Sequence, residues 1–67
     1  MDFSTALLAL KNSSKIKREG WNDKLAYIEM KWSEILNRHF ILITLTGSCA
    51  EWMATSLDIL SDDWIIV

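Results

Sequence analysis

The chain lacks the usual means by which small proteins stabilise a core. It has no proline, one cysteine and one histidine among its 67 residues. One cysteine excludes an intrachain disulfide, and one histidine with one cysteine falls short of the four ligands of a structural zinc site. A chain of this size buries roughly 60% of its unfolded surface, near the lower limit for an independent core. We therefore expect residues 1–67 to form a single domain and self-association to supply further stabilisation.

The chain also lacks a basic excess and long apolar runs. Its net charge is −2 and its pI is about 5.1, the reverse of what a duplex-binding protein shows, so we predict no DNA or RNA partner. The longest apolar stretches are Ala6–Leu10 and Phe40–Leu45, far below the roughly 20 residues that span a bilayer. No Lys or Arg precedes the first stretch, so it is not typical of a signal peptide. We expect a cytoplasmic protein with no membrane partner.

Tryptophan, in contrast, is abundant. Hydrophobic residues make up 51% and charged residues 24% of the chain, which is the balance of a folded globular protein. A core of this size has no need of four indoles, and tryptophan is enriched at interfaces and stacks on flat ligands. The surplus therefore indicates a binding surface. The four residues are Trp21, Trp32, Trp52 and Trp64.

The residue pattern predicts an α+β fold: a small antiparallel β-sheet, one N-terminal helix, and a short helical turn before the last strand. The helix is expected over Phe3–Lys11, with Asp2 or Ser4 as its cap. The segment Lys31–His39 is compatible with a loop or one helical turn. The predicted strands are Lys15–Arg18, Leu25–Met30, Phe40–Thr46, Ala50–Met53 and Trp64–Val67, and the helical turn falls within Ala54–Ser61, with Thr55 or Ser56 as its cap.

Both faces of this sheet are expected to carry apolar residues. The strand around Tyr27 and Ile28 is apolar on both sides, so one of these two side chains lies away from the helix, depending on register. A second subunit would then cover the open face.

No set of residues in the chain predicts catalysis. His39 is typical of a boundary residue, and Cys49 is expected to be a small buried hydrophobe rather than a nucleophile, because no paired base accompanies it. Asp58, Asp62 and Asp63 could hold a divalent ion, but their spacing matches no calcium loop, so helix capping and solvation are favoured. We predict no enzymatic activity, no metal site and no cofactor.

One turn does combine groups that suit a nucleotide. Arg18, Gly20, Trp21, Asn22 and Lys24 lie within one short segment. The indole can stack on a base, the two cations can meet phosphate, and the amide can read a polar edge. The alternative is structural: Trp21 folds over the sheet edge and Arg18 stacks on its ring. The residues alone leave both interpretations open, as they do for Trp52 and Trp64.

Both ends of the chain resemble one family. The opening Met1–Leu7, the stretch Lys15–Asn22 and the closing Trp52–Trp64 are similar to the small phage and prophage proteins that include the second type of Thoeris anti-defence protein. The resemblance implies a homotetramer with ligand pockets between subunits. It also implies a sponge that holds, without cleaving it, the glycocyclic ADP-ribose messenger of a TIR-domain defence protein. Some relatives bind cyclic dinucleotides at a separate site.

The resemblance carries over to particular residues. It implies ligand contact for the Gly-Trp-Asn turn, which is Trp21 and Asn22 here, and for the basic positions beside it. It implies pocket or interface roles in the closing stretch, and structural roles for Asp63 and Trp64. The resulting ligand-binding set is Arg18, Trp21, Asn22, Lys24, Trp52, Ser56 and Asp58.

Two positions depart from the family pattern. Asp23 stands where the family usually has glycine, and Glu51 where it usually has proline. Each adds a carboxylate near the expected site, so we expect altered ligand choice or affinity for phosphate.

Three hypotheses follow. The first is a homo-oligomer, expected to be a tetramer, that sequesters a nucleotide second messenger, either glycocyclic ADP-ribose or a cyclic dinucleotide. The second is a small acidic inhibitor that binds a host protein through exposed tryptophans. The third, an enzyme that degrades the messenger, lacks a catalytic set.

Overall fold

The computed structural model describes all of residues 1–67 and has the predicted α+β architecture. Five antiparallel strands form one sheet in the order β4-β3-β2-β1-β5, with a helix on one face. Neither helix has the length and apolarity that crossing a bilayer requires. The elements are α1 (Phe3–Lys11), β1 (Ile16–Arg18), β2 (Tyr27–Ser33), β3 (Arg38–Leu45), β4 (Ser48–Glu51), α2 (Ser56–Leu60) and β5 (Trp64–Ile66).

Helix α1 begins and ends where the sequence predicts. The Asp2 carboxylate accepts a hydrogen bond from the Thr5 amide at 2.9 Å, which caps the helix and lowers the pKa of Asp2. After Lys11 the chain leaves the helix through Asn12, and Ser13 adopts a positive φ of 69°. Ser4 is therefore not the cap.

The core is small, as the length of the chain implies. Only six residues are buried, and Trp64 is the largest of them. The accessible surface is 4663 Å², somewhat above the roughly 4,300 Å² expected for a folded monomer of this mass. Several large apolar side chains account for the difference, which leaves apolar surface available to a partner. The buried residues are Ala6, Leu10, Ile16, Ala26, Ile28 and Trp64.

The strand register assigns the side chains to two faces. Ile16, Ile28 and Ile43 are opposite one another on neighbouring strands, so their side chains share the face that α1 covers. Tyr27 lies on the other face with Phe40 and Leu42, because successive residues of a strand alternate. The register therefore decides the alternative left by the sequence, with Tyr27 on the open face and Ile28 in the core.

The second strand lies two or three residues further along the chain than predicted. It covers Tyr27–Ser33 instead of Leu25–Met30. Leu25 and Ala26 form a turn, because the Asp23 side chain accepts from the Leu25 amide at 3.0 Å and the Asp23 carbonyl accepts from the Ala26 amide at 3.2 Å.

The segment Lys31–His39 forms the tip of the β2–β3 hairpin together with the adjoining ends of both strands. The prediction of a loop or helical turn was therefore wrong at both ends of the segment. Lys31 pairs with Phe40 and Ser33 with Arg38. The tip is ordered because the Ser33 hydroxyl accepts from the Leu36 amide at 3.1 Å and Asn37 adopts a positive φ of 53°.

The fourth strand covers Ser48–Glu51 instead of Ala50–Met53. Gly47, with a φ of 80°, makes the tight turn that precedes it. All four residues of β4 are exposed because it is an edge strand. Cys49 is among them, so the prediction that it is buried was wrong.

Candidate functional site

An ion-pair cluster joins the end of β1 to α2 and to the start of β5. Arg18 binds Asp63 through Nε at 2.8 Å and Asp58 through Nη1 at 3.0 Å. The side chains of Arg18 and Asp58 are each only 14% exposed. The hydrogen bonds to Asp63 and then to Asp58 raise the pKa of Arg18. The guanidinium is thus already engaged by two carboxylates, and a phosphate would have to compete with both.

The two carboxylates of this cluster have a different role from the predicted one. Asp58 and Asp63 were predicted to cap a helix or to be solvated, whereas they bind Arg18. The cap of α2 is Thr55, whose hydroxyl accepts from the Asp58 amide at 3.2 Å. The hydrogen bond from Arg18 lowers the pKa of Asp63, and so does the Gly20 amide. No three His, Cys, Asp or Glu side chains lie close enough to share a metal ion.

The candidate turn lies directly against this cluster. The Trp21 indole Nε1 donates to Asp58 Oδ1 at 3.4 Å, and the Gly20 amide donates to Asp63 Oδ2 at 3.0 Å. A Cβ added at Gly20 would lie 3.1 Å from Asp63 Oδ2, so a larger residue would crowd this contact. The structural alternative predicted that Arg18 stacks on the Trp21 ring, and this part of it is wrong. The indole and the guanidinium share one carboxylate instead.

The remaining polar residues of the predicted set point into solvent. Asn22, Lys24 and Ser56 are exposed, and their side chains bind no other group of the chain. Lys17 lies beside them, because its Nζ donates to the Lys24 carbonyl at 3.3 Å. Lys17 is not in the predicted ligand-binding set. Its position in a short alternating strand next to Arg18 is the sequence feature that could have indicated it.

Asp23 has a role that the sequence did not suggest. Its carboxylate accepts from the Thr46 amide and from the Thr46 hydroxyl, each at 3.0 Å, as well as from the Leu25 amide. The hydrogen bonds that the backbone amides of Thr46 and Leu25 donate lower the pKa of Asp23. The residue therefore fastens the candidate turn to the β3–β4 hairpin. Its effect on phosphate affinity stays a prediction.

Trp52 lies elsewhere but is connected to the turn through aromatic contacts. Ring centroids are 5.5 Å apart for Trp21 and Trp64, and 6.0 Å apart for Trp64 and Trp52, each pair edge to face. Phe3 contacts both Trp52 and Trp64. The buried Trp64 thus lies between two partly exposed indoles.

Trp52 lines an open groove of about 450 Å³ between α1, β3 and the chain after β4. Phe3, Leu7, Met30 and Ile41 form its apolar wall. Its polar lining residues are Arg38, His39 and Glu51. No residue of the Gly20–Lys24 turn lines it. The structure therefore brings Arg18, Trp21 and Asp58 together, leaves Asn22, Lys24 and Ser56 exposed near them, and places Trp52 apart.

Comparison with known proteins identifies the family of the chain. The family model described as the Thoeris anti-defense 2-like domain matches residues 1–67. A curated relative, Thoeris anti-defense 2 from Bacillus phage SP01, is 27% identical over 84 aligned residues, which cover 100% of this chain and 94% of the relative. Membership of this family supports an anti-defence role. The chain belongs to the Thoeris anti-defense 2-like family.

Proposed function

We propose that the protein binds and sequesters a nucleotide second messenger of the Thoeris defence system without cleaving it. The messenger is glycocyclic ADP-ribose, with a cyclic dinucleotide as a second ligand, and the protein acts in the host cytoplasm. The observation that carries the proposal is the construction of the Gly20–Lys24 turn. Asp58 and Asp63 hold it on one side and Asp23 holds it on the other, while Asn22 and Lys24 remain free to bind.

Each group near the turn has a role in this proposal. The Trp21 indole stacks on the adenine, and the Asn22 amide binds a polar edge of the ligand. Lys24 and Lys17 meet the phosphates, because three of the five N–H groups of Arg18 already bond carboxylates. The Ser56 hydroxyl and Asp58 Oδ2, to which no other group donates, are available for ribose hydroxyls.

The proposal requires more than one copy of the chain. The turn is not concave within one copy, and the cavity that one copy does have lies at Trp52. Beside Asp58, Leu57 and Leu60 are 69% and 83% exposed on α2, a helix with no buried residue. We infer a homo-oligomer, a tetramer, in which a second subunit covers this apolar surface and encloses the ligand. Enclosure slows release, which a sequestering protein needs.

The test is a release assay on the purified full chain. A protein that works stoichiometrically at micromolar concentration needs a Kd below about 1 μM, which is about 8 kcal/mol of binding free energy. The protein is mixed with glycocyclic ADP-ribose or with a cyclic dinucleotide, freed of unbound nucleotide, and heated. We expect intact nucleotide to appear by chromatography only after heating. An altered nucleotide would establish an enzyme instead.

One observation favours the second candidate function, an inhibitor that binds a host protein. The tip of the β2–β3 hairpin presents Trp32, Ile35 and Leu36, and Ile35 is 95% exposed. Apolar residues on an exposed tip are suited to insertion into a protein partner. This candidate predicts no bound nucleotide, together with a stable complex with a Thoeris protein that Ile35→Ser abolishes.

A further inference from the structure

The two edges of the sheet differ in their backbone hydrogen bonding. At the β5 edge, the N-terminal ammonium of Met1 donates to the carbonyls of Asp62 at 3.1 Å and Trp64 at 2.8 Å. The Trp64 amide in turn donates to the Met1 carbonyl at 3.1 Å. Met1 therefore occupies this edge at Asp62 and Trp64, and Ile66 is the one residue of β5 whose outward amide and carbonyl stay unbonded.

The β4 edge is open. The Trp52 amide donates to the Ile41 carbonyl at 2.8 Å, and hydrogen-bonded pairs alternate along an antiparallel ladder. Ser48 and Ala50 therefore bond β3, whereas Cys49 and Glu51 direct their amides and carbonyls away from the sheet. No other group of the chain bonds these outward groups. The edge carries no proline, lysine or bulge, and its protection is limited to its length of four residues and one charged side chain, Glu51.

We propose that β4 pairs antiparallel with β4 of a second copy, with the two-fold axis at Ala50. In this register Cys49 is opposite Glu51 of the partner subunit, and Glu51 is opposite the partner's Cys49. Each pair exchanges two hydrogen bonds, so every outward amide and carbonyl of both edges finds a partner. The small Ala50 side chain permits the close approach, about 4.5 Å between Cα atoms, of a pair that is not hydrogen-bonded.

Other registers satisfy fewer groups. An axis at Cys49 pairs that residue with its own copy but places Glu51 opposite Gly47, which is in the turn with a φ of 80°. An axis at Glu51 places that carboxylate directly opposite its own copy, and Cys49 opposite Met53, which lies beyond β4. The register centred on Ala50 is therefore the one in which Cys49 and Glu51 are both bonded within β4.

The β5 edge offers only Ile66 to a further strand, which is too little for a second ladder. Strand pairing at β4 therefore gives a closed, isologous dimer, and the proposed tetramer needs the α2 contact as well. Glu51 and the partner's Glu51 lie on the same face of the joined sheet, so their repulsion weakens the dimer, and we expect salt to strengthen it. The proline that the family usually has at position 51 would remove the Glu51 amide, so this pairing depends on this chain's own sequence. It adds a second contact to the self-association in the proposed function, on which it rests, and does not depend on the ligand.

The first test is directed cross-linking of the full chain. In a Cys49→Ser background, Ala50→Cys places two thiols across the axis, within the Cα spacing of about 4.4–6.8 Å that a disulfide needs. The unaltered Cys49 lies diagonally from its copy, at about 7–8 Å. We expect the Ala50→Cys variant to form a covalent dimer under mild oxidation at least tenfold faster than the unaltered chain. Equal rates, or faster cross-linking through Cys49, would overturn the register.

The second test removes the edge hydrogen bonds. Glu51→Pro deletes an amide that points away from β3, so it spares the ladder, and Glu51→Ala keeps the amide as a control. By light scattering on a size-exclusion column, we expect Glu51→Pro to halve the assembly mass and Glu51→Ala to leave it unchanged. Circular dichroism identifies a variant that is simply unfolded, in which case the cross-linking rates decide. A wild-type monomer would overturn the inference and leave the edge to another protein's strand.

The outcomes distinguish this inference from the proposed function. If Ala50→Cys fails to cross-link while nucleotide is still retained, the edge pairing is wrong and the sponge stands. If cross-linking succeeds and no nucleotide is retained, the edge pairing stands and the sponge is wrong.

Discussion

Trp21 and Trp32 lie in different surroundings. Trp21 is half-buried and follows β1, whereas Trp32 is exposed and lies in β2. The Trp21 indole packs edge-on against the buried Trp64 and donates to Asp58, which Arg18 also binds. Trp32 is 52% exposed, and its one aromatic neighbour is His39 at 5.0 Å. The first ring is therefore held from the core outward. The second stands on a hairpin tip that the core does not support.

The comparison shows what makes the turn a credible site. A ligand loses less affinity to ordering when the groups that bind it are already fixed. The turn meets this condition through Arg18, Asp23, Asp58 and Asp63, whereas the hairpin tip is held through its own local hydrogen bond at Ser33. Four variants test the difference between the turn and the hairpin tip, in order of decreasing expected effect.

The largest effect is expected when the support beneath Trp21 is removed. Trp64→Ala deletes the largest buried side chain, and such truncations cost about 3–5 kcal/mol. Because so small a core has little stability to lose, we expect the variant to be largely unfolded by circular dichroism at 25 °C. Trp32→Ala is the matched control and should unfold at the wild-type temperature. A folded Trp64→Ala chain would contradict this description of the core.

The second effect concerns the two arginines. Arg18→Ala leaves the partly buried carboxylates of Asp58 and Asp63 without their partner, so we expect a clear fall in Tm. Arg38 is exposed, and its one hydrogen bond is to the His39 carbonyl at 3.4 Å. Arg38→Ala should shift Tm by no more than about 2–4 °C. Equal shifts measured by calorimetry would mean that the Arg18 cluster is not a structural support.

The third effect is a dependence of stability on pH. The pKa of Asp63 is lowered in the folded chain, so the unfolded state binds more protons as the pH falls. The stabilisation is therefore present above the ordinary aspartate pKa of about 3.9 and is lost as the pH falls through the lowered value. Asp63→Asn should flatten the acid limb of a Tm-against-pH curve. Glu34→Gln, at the hairpin tip, should leave that limb as it is in the wild type.

The smallest effect is expected at the tip itself. Ile35→Ser removes a side chain that is almost fully exposed, so the free energy of unfolding should change by no more than about 0.5 kcal/mol in urea. Nucleotide retention should also be unchanged. If Ile35→Ser abolished retention, the ligand site would involve the tip instead of the turn, and the difference between the two regions would be reversed.

Much of the fold could be predicted because it is set by local chemistry. Helix α1 follows from the spacing of Ala6 and Leu10 and from the Asp2 cap, and α2 follows from Thr55. The boundaries of β2 and β4 could not be predicted in the same way. They depend on pairing with β3, and the identity of β4 as an edge strand, which exposes Cys49, is a property of strand order rather than of local pattern.

The candidate site could be predicted only in part, for a related reason. The Arg18–Lys24 segment is recognisable from its composition, because an indole, an amide and two cations lie close together in sequence. The contacts that fix it are distant in sequence: Asp58 and Asp63 are 40 and 45 residues from Arg18. The sequence therefore suggests phosphate contact for Arg18 but not its carboxylate partners, and it suggests repulsion by Asp23 but not its bonds to Thr46.

The most direct test of the account compares Trp21 with Trp32 as nucleotide-binding residues. Trp21→Ala and Trp32→Ala are titrated with glycocyclic ADP-ribose by calorimetry, after circular dichroism has shown both to be folded. Loss of a stacked base costs about 1–3 kcal/mol, so we predict that Trp21→Ala weakens binding by about 5- to 150-fold and that Trp32→Ala binds like the wild type. Unchanged affinity in Trp21→Ala, or a loss in Trp32→Ala alone, would contradict the assignment of the messenger to the Gly20–Lys24 turn.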